Sequence, residues 1–105
     1  MWIRSAFWMG APKTGSEERF ESAVNKELLP LLKACPGVKD VLVLWPRDRE
    51  GNPPGVACQI ALFFDAKEHI ARMLASPERA AMRQSVPGIA ALFDGSVSHI
   101  NFEVV

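Results

Sequence analysis

The chain has 105 residues, with 12 Lys plus Arg set against 12 Asp plus Glu and only two cysteines. That length fits one domain over residues 1–105. A neutral chain without a basic block lacks the electrostatic footprint of nucleic-acid or anionic-lipid partners. No apolar run reaches the ~18 residues of a membrane span. Met1-Trp2-Ile3-Arg4 also lacks the flanks of a signal peptide, so a cytoplasmic protein is expected.

The first predicted strand covers residues 2–9 and ends at Gly10-Ala11-Pro12, a break. A helix follows over 17–34. Ser16 is suited to cap it, and Glu17 and Glu18 complement its dipole. Phe20, Val24, Leu28, Leu31, Leu32 and Cys35 recur at steps of three and four and make one apolar stripe. Pro30 should kink this helix or split it near Leu29, and Pro36-Gly37 ends it.

A second strand covers 41–45. The polar, turn-rich run from Arg47 to Gly55 is a hairpin loop, and a third strand covers 56–64. A second helix covers 66–75, with Asp65 as its cap and Ile70, Met73 and Leu74 facing inward. Ser76-Pro77-Glu78 restarts a helix, with Ser76 as N-cap and Pro77 in the first helical position, to about residue 85. Leu92 and Phe93 anchor a loop before the last strand, 97–104. Cys35 and Cys58 are expected as buried reduced thiols. The order βαββαβ predicts a ferredoxin-like α+β fold, a four-stranded antiparallel sheet with helices on one face.

Strand side chains alternate between faces. Val56, Cys58, Ile60, Leu62 and Phe64 share one face of strand 3, and Ala57, Gln59, Ala61 and Phe63 the other. In strand 4, Ile100, Phe102 and Val104 oppose Val97, His99, Asn101 and Glu103. The aliphatic sets are expected to face the helices. Either face of strand 1 could do so. The opposite sets are still apolar, and with 49% hydrophobic residues the chain has more oily surface than a small core absorbs. A four-stranded face spans ~400 Å² from strand spacing and rise, at the limit that monomers tolerate. A homodimer through the sheet face, forming a dimeric α/β-barrel with a pocket between the sheets, is the expected assembly. A monomer with a solvated sheet face is the alternative.

The Ser16-Glu17-Glu18-Arg19-Phe20 helix start, Pro36-Gly37-Val38 before strand 2, Leu74-Ala75-Ser76-Pro77-Glu78 at the helix break and a Val/Ile/Phe-rich last strand resemble the EthD-like proteins of the dimeric α/β-barrel superfamily. The resemblance covers nearly the whole chain. It implies a homodimer around a pocket. Relatives include cofactor-free monooxygenases, lactone isomerases, polyketide cyclases and haem-degrading enzymes. EthD-like proteins accompany oxidative degradation of ethers and other small organics. The Asn-Trp-His set of the haem-degrading relatives has no counterpart here at a matching spacing.

The residues suggest chemistry of their own. His99 and Asn101 share a face: an imidazole can move a proton near neutral pH, and an amide can orient a carbonyl or developing oxyanion. Both could equally serve an interface. Gln59 and Phe63 could line the same pocket, and Trp8 and Trp45 could stack on an aromatic ligand or simply pack. Arg4 could bind a substrate acid if the even face of strand 1 points inward. The cysteine and histidine positions have no metal-site spacing, and strand 3 lacks the basic-Gly-aromatic pattern of RNA-recognition modules. The expected function is cofactor-free oxygenase, isomerase or cyclase-type chemistry on a small hydrophobic or aromatic molecule, with neither metal nor organic cofactor. The alternative is a non-catalytic binding or accessory protein in an oxidative catabolic pathway.

Overall fold

A computed structural model describes residues 1–105. Four strands, β1 (Trp2–Pro12), β2 (Asp40–Leu44), β3 (Val56–Phe64) and β4 (Phe93–Glu103), form one antiparallel sheet in the order β2-β3-β1-β4. The helical segments are α1 (Glu17–Ala23), α2 (Leu29–Lys33), α3 (Lys67–Leu74), α4 (Pro77–Arg83) and α5 (Val86–Ala90). The element order is the expected one, with α5 added where a loop was expected.

The predicted helix stripe is the inner face of α1 and α2: Phe20, Val24, Leu28, Leu32 and Cys35 are all buried. Pro30 has the predicted effect in an unpredicted form. Its missing N–H and its ring disturb the preceding turn, and residues Val24–Leu28 take up a π turn, in which the Leu29 N–H donates to the Val24 carbonyl five residues back. Ser76 caps α4 as expected, its Oγ accepting from the Arg79 N–H at 3.1 Å. Asp65 does not cap α3. Ala66 occupies that position in an extended conformation, and the Asp65 carboxylate pairs with Lys39 at 3.3 Å instead.

The core is aromatic at its centre. The Trp8 ring meets Phe20 and Phe93 edge-on at 5.4 Å each, and Phe20 stacks on Phe93 at 5.0 Å. Trp8 is 3% exposed, which fixes the even face of β1 toward the helices. Residues paired directly across antiparallel strands share a face. Trp8 pairs with Cys58 and Val97, Ala6 with Ile60 and His99, and Arg4 with Leu62 and Asn101. The helix-facing side of β4 is therefore Val97, His99 and Asn101. This reverses the assignment expected for strand 4: Ile100 and Phe102 lie on the open face, where Phe102 meets Phe7 edge-on at 6.5 Å. Alternation alone gives two sets of residues, and the burial of Trp8 decides which set turns inward.

The open face carries Leu42, Leu44, Ile100 and Phe102, each 42–48% exposed, and a hydrogen bond from Gln59 Nε2 to the Ser5 hydroxyl at 3.2 Å. It is more apolar than the alternation argument required. Cys35 and Cys58 are free and buried, and burial, with Glu21 adding to it, pushes the Cys58 thiol up to about 12.

β1 does not stop at Gly10. It runs on through Pro12; past a bulge at Trp8/Met9 it keeps one more rung with β3, Met9↔Val56, and from there on pairs with β4 alone. Gly10 (φ 127°) and Gly95 (φ 153°) face each other there, and a Cβ on Gly95 would run into the Met9 carbonyl oxygen. Gly95→Ala should destabilise the fold by roughly 1–3 kcal/mol, read as a lower Tm. Gly55→Ala, where a Cβ meets nothing within 4 Å, should stay within about 0.5 kcal/mol of wild type.

Candidate functional site

The β1–β4 pair presents three rungs to the helices, Trp8/Val97, Ala6/His99 and Arg4/Asn101. The middle rung sets alanine between a tryptophan and an arginine on β1, and the missing side-chain volume over Ala6 leaves a hollow. Helices cover it from above. On α4, Arg79, Met82 and Arg83 fall at i, i+3 and i+4, so they project from one face, and all three line the hollow with Val86 of α5. Leu28 and Leu32 close it from the first helical run, and Met73 and Leu74 from α3. The result is a cleft of about 270 Å³, eleven of whose fifteen lining residues are hydrophobic. The other four are Arg4, Arg79, Arg83 and His99.

No carboxylate lines this cleft, and the two ion pairs of the chain, Lys39–Asp65 and Arg47–Glu21, lie elsewhere. Arg4 donates from Nη1 to Asn101 Oδ1 at 3.1 Å. Burial, then the charge of Arg79, pulls the Arg4 pKa below its ordinary value, although a guanidinium stays charged at any working pH. His99 sits at the solvent-open side. Burial, followed by Arg4, Arg79 and Arg83, holds its pKa below the usual histidine value. The imidazole is therefore neutral at pH 7 and able to accept a proton.

The structure thus brings Arg4, Trp8 and His99 into one cleft, with Asn101 attached at the Arg4 end. It separates the remaining candidates. Gln59 pairs with Phe7 and Phe63 with Ile3, so both belong to the open face, and the sheet stands between them and His99. Trp45 follows β2, donates from Nε1 to Asn25 Oδ1 at 3.1 Å and packs edge-on to Phe20. With Gln59 it lines a second, wider depression of about 460 Å³ under the β2–β3 loop. The hollow holding His99 lies between sheet and helices of a single protomer, not between two sheets, because the polar side of β4 turns inward. Arg79 and Arg83 were missed. Their signal is the 79/82/83/86 spacing, which makes two arginines part of the inner stripe of an amphipathic helix.

The sequence matches no family model and no curated protein. Solved structures do match. An ethyl tert-butyl ether D (EthD) family protein of Bacillus halodurans superposes with a TM-score of 0.80 at 14% identity, over 100% of this chain and 99% of that one. A dimeric ferredoxin-like protein from Jannaschia sp. superposes at 0.68 with 16% identity, over 99% and 100%. This is the ferredoxin-like fold. A cofactor-independent oxygenase of Streptomyces nogalater shares it at a TM-score of 0.59 and 21% identity, over 98% of this chain and 89% of that one. No helix of this ferredoxin-like chain is long and apolar enough to cross a membrane.

A pH titration of the imidazole proton resonances should place the His99 midpoint below 6.5. Arg79→Gln and Arg83→Gln should each move it upward. A midpoint unmoved by either substitution would separate the arginines from the imidazole.

Proposed function

We propose that this chain is a small-molecule enzyme of the EthD-like kind, carrying out oxygenase, isomerase or cyclase-type chemistry without a cofactor on a compact hydrophobic or aromatic compound held in the cleft over Ala6. The observation that carries this reading is one imidazole, held neutral, at the side of an apolar hollow whose other polar groups are all cationic. Such a site favours loss of a proton from an acidic C–H or O–H of the substrate. The proton passes to His99, and the electron pair left behind is delocalised onto a substrate oxygen. Arg4, steadied by Asn101, is placed to stabilise that oxyanion. Isomerisation, ring closure or attack on dioxygen can each start from this anion. Trp8 and Ile60 on the floor and Leu28 and Met82 on the roof supply the apolar walls that keep water from the bound body.

The assembly proposed with it is a homodimer through the open sheet face. Leu42, Leu44, Ile100 and Phe102 leave an apolar surface that water disfavours, and the Jannaschia neighbour is described as dimeric. A partner copy there would leave the cleft on the far side of the sheet accessible.

Activity on a panel of quinols, lactones and polyketide-like substrates tests the enzyme. Where turnover is found, His99→Ala should lower kcat by about 10²–10⁴-fold. The wild-type rate should rise with pH through an apparent pKa below 6.5 and level off at neutrality, because only the neutral imidazole accepts the proton. Binding without turnover across the panel would reduce the protein to a carrier. Sedimentation at micromolar concentration should give a species of twice 11.6 kDa, and Phe102→Asp should return it to 11.6 kDa.

A further inference from the structure

The cleft contains more positive charge than the proposed proton transfer uses. One cation, Arg4, suffices for the oxygen that becomes negative, and its Nη1 is already committed to Asn101. Arg79 and Arg83 remain. They stand one helical turn apart on α4, across the hollow from the sheet, and neither takes part in a side-chain hydrogen bond or ion pair within the chain. The chain as a whole is neutral, yet here three guanidiniums surround an apolar hollow with no acid among its lining residues. Arg4 loses hydration there and is repelled by Arg79, a cost that a bound anion would repay. Two forks at i and i+4 also suit a planar, bidentate acceptor better than a point charge.

We propose that the natural ligand is an organic acid: an apolar or aromatic body seated over Ala6 and Trp8, bearing a carboxylate that Arg79 and Arg83 grip from α4. The proposal rests on the cleft being the ligand site, as argued above, and adds the chemical class of what enters it. The carboxylate is preferred to a phosphate group because the remaining walls are hydrophobic and the volume, about 270 Å³, lies just below the range usual for ligand sites. It gives α4 a task that a plain roof helix would not need. The body lies against Trp8, Ile60 and Met82, the acid points to the α4 end, and the face next to His99 is left for the reacting atom. An anion placed among these arginines offsets the charges that depress the imidazole. Acid binding should therefore relieve the arginines' share of the lowering of the His99 pKa, leaving the share due to burial in place. The charged groups of the cleft that face His99 are Arg4 from β1 and Arg79 and Arg83 from α4.

Isothermal titration at pH 7 with 2-naphthoate and its neutral isostere 2-naphthamide tests the assignment. The acid should bind about 10- to 100-fold more tightly than the amide, the range expected of charge-assisted hydrogen bonds. Arg79→Gln and Arg83→Gln should each remove most of that preference by weakening the acid far more than the amide, and Arg79→Lys should retain part of it. Raising the salt concentration should weaken the acid alone. Should Arg79→Gln fail to fold, Arg83→Gln, at an exposed position near the end of α4, carries the same test. Equal affinities for acid and amide, or a preference untouched by both substitutions, would overturn the organic-acid assignment and leave the cleft as a neutral-ligand site. Displacement of naphthoate by inorganic phosphate at comparable concentration would overturn it as well, since the apolar body would then contribute nothing. Failure of both naphthalene compounds to bind would remove the cleft reading together with the proposal.

Discussion

The burial of one side chain, Trp8, determines what the two sides of this sheet do. Its indole is locked between Phe20 and Phe93, and no rotation of β1 keeps that contact while turning Arg4 and Ala6 outward. Because strand pairs share faces, the same contact turns His99 and Asn101 inward on β4 and Ile60 and Leu62 inward on β3. The cleft is thus a consequence of core packing. An aromatic residue two positions from a small one leaves a void under the helices, and a polar rung happens to border it. Shifting β1 by one residue would exchange the two faces completely.

The sheet then divides its work. The helix side is partly filled by aromatic and aliphatic packing around Phe20, which is fully buried. The remainder is the hollow, where the charged side chains collect. The other side is oily, with Gln59 and Ser5 satisfying each other in its middle. Two kinds of surface on one sheet, one able to hold a small molecule and one able to hold a large partner, need not compete for the same residues. Such a separation would let a site on one side vary without disturbing an interface on the other.

Much of this was legible in the sequence, and the limits have physical causes. The bounds of β3 followed from its alternation and flanking turn residues, and the Ser76-Pro77 start of α4 from capping chemistry. The disturbance near Pro30 followed from its missing donor. The face of β4 was not legible. Ile100, Phe102 and Val104 look like core residues by composition, but β4 is an edge strand lying largely beyond the helices, and its aliphatic set joins the open face instead. Arg4, Trp8 and His99 were each readable as candidates, yet their meeting depends on cross-strand register, which no local pattern encodes. Gln59 and Phe63 shared the notional pocket only through the mistaken face of β4. Arg79 and Arg83 were hidden because charge on a short helix usually means solvent.

The π turn at Val24–Leu28 has a bearing on how this architecture tolerates change. Successive inner residues of the first helical run, Phe20, Val24, Leu28 and Leu32, are spaced by four. On an ideal α-helix each such step overshoots a full revolution by ~40°, so three of them would drift by ~120° around the axis. The wider turn winds more slowly and takes back part of that excess, keeping the four side chains in line along the sheet. The segment behaves as a helix with one residue's worth of slack, wound in ahead of a proline. Deleting a single residue there would restore ideal winding and leave Leu28 and Leu32 seven and eleven steps from Phe20, each within about 20° of the same face. The irregularity is what keeps the roof in phase with its floor.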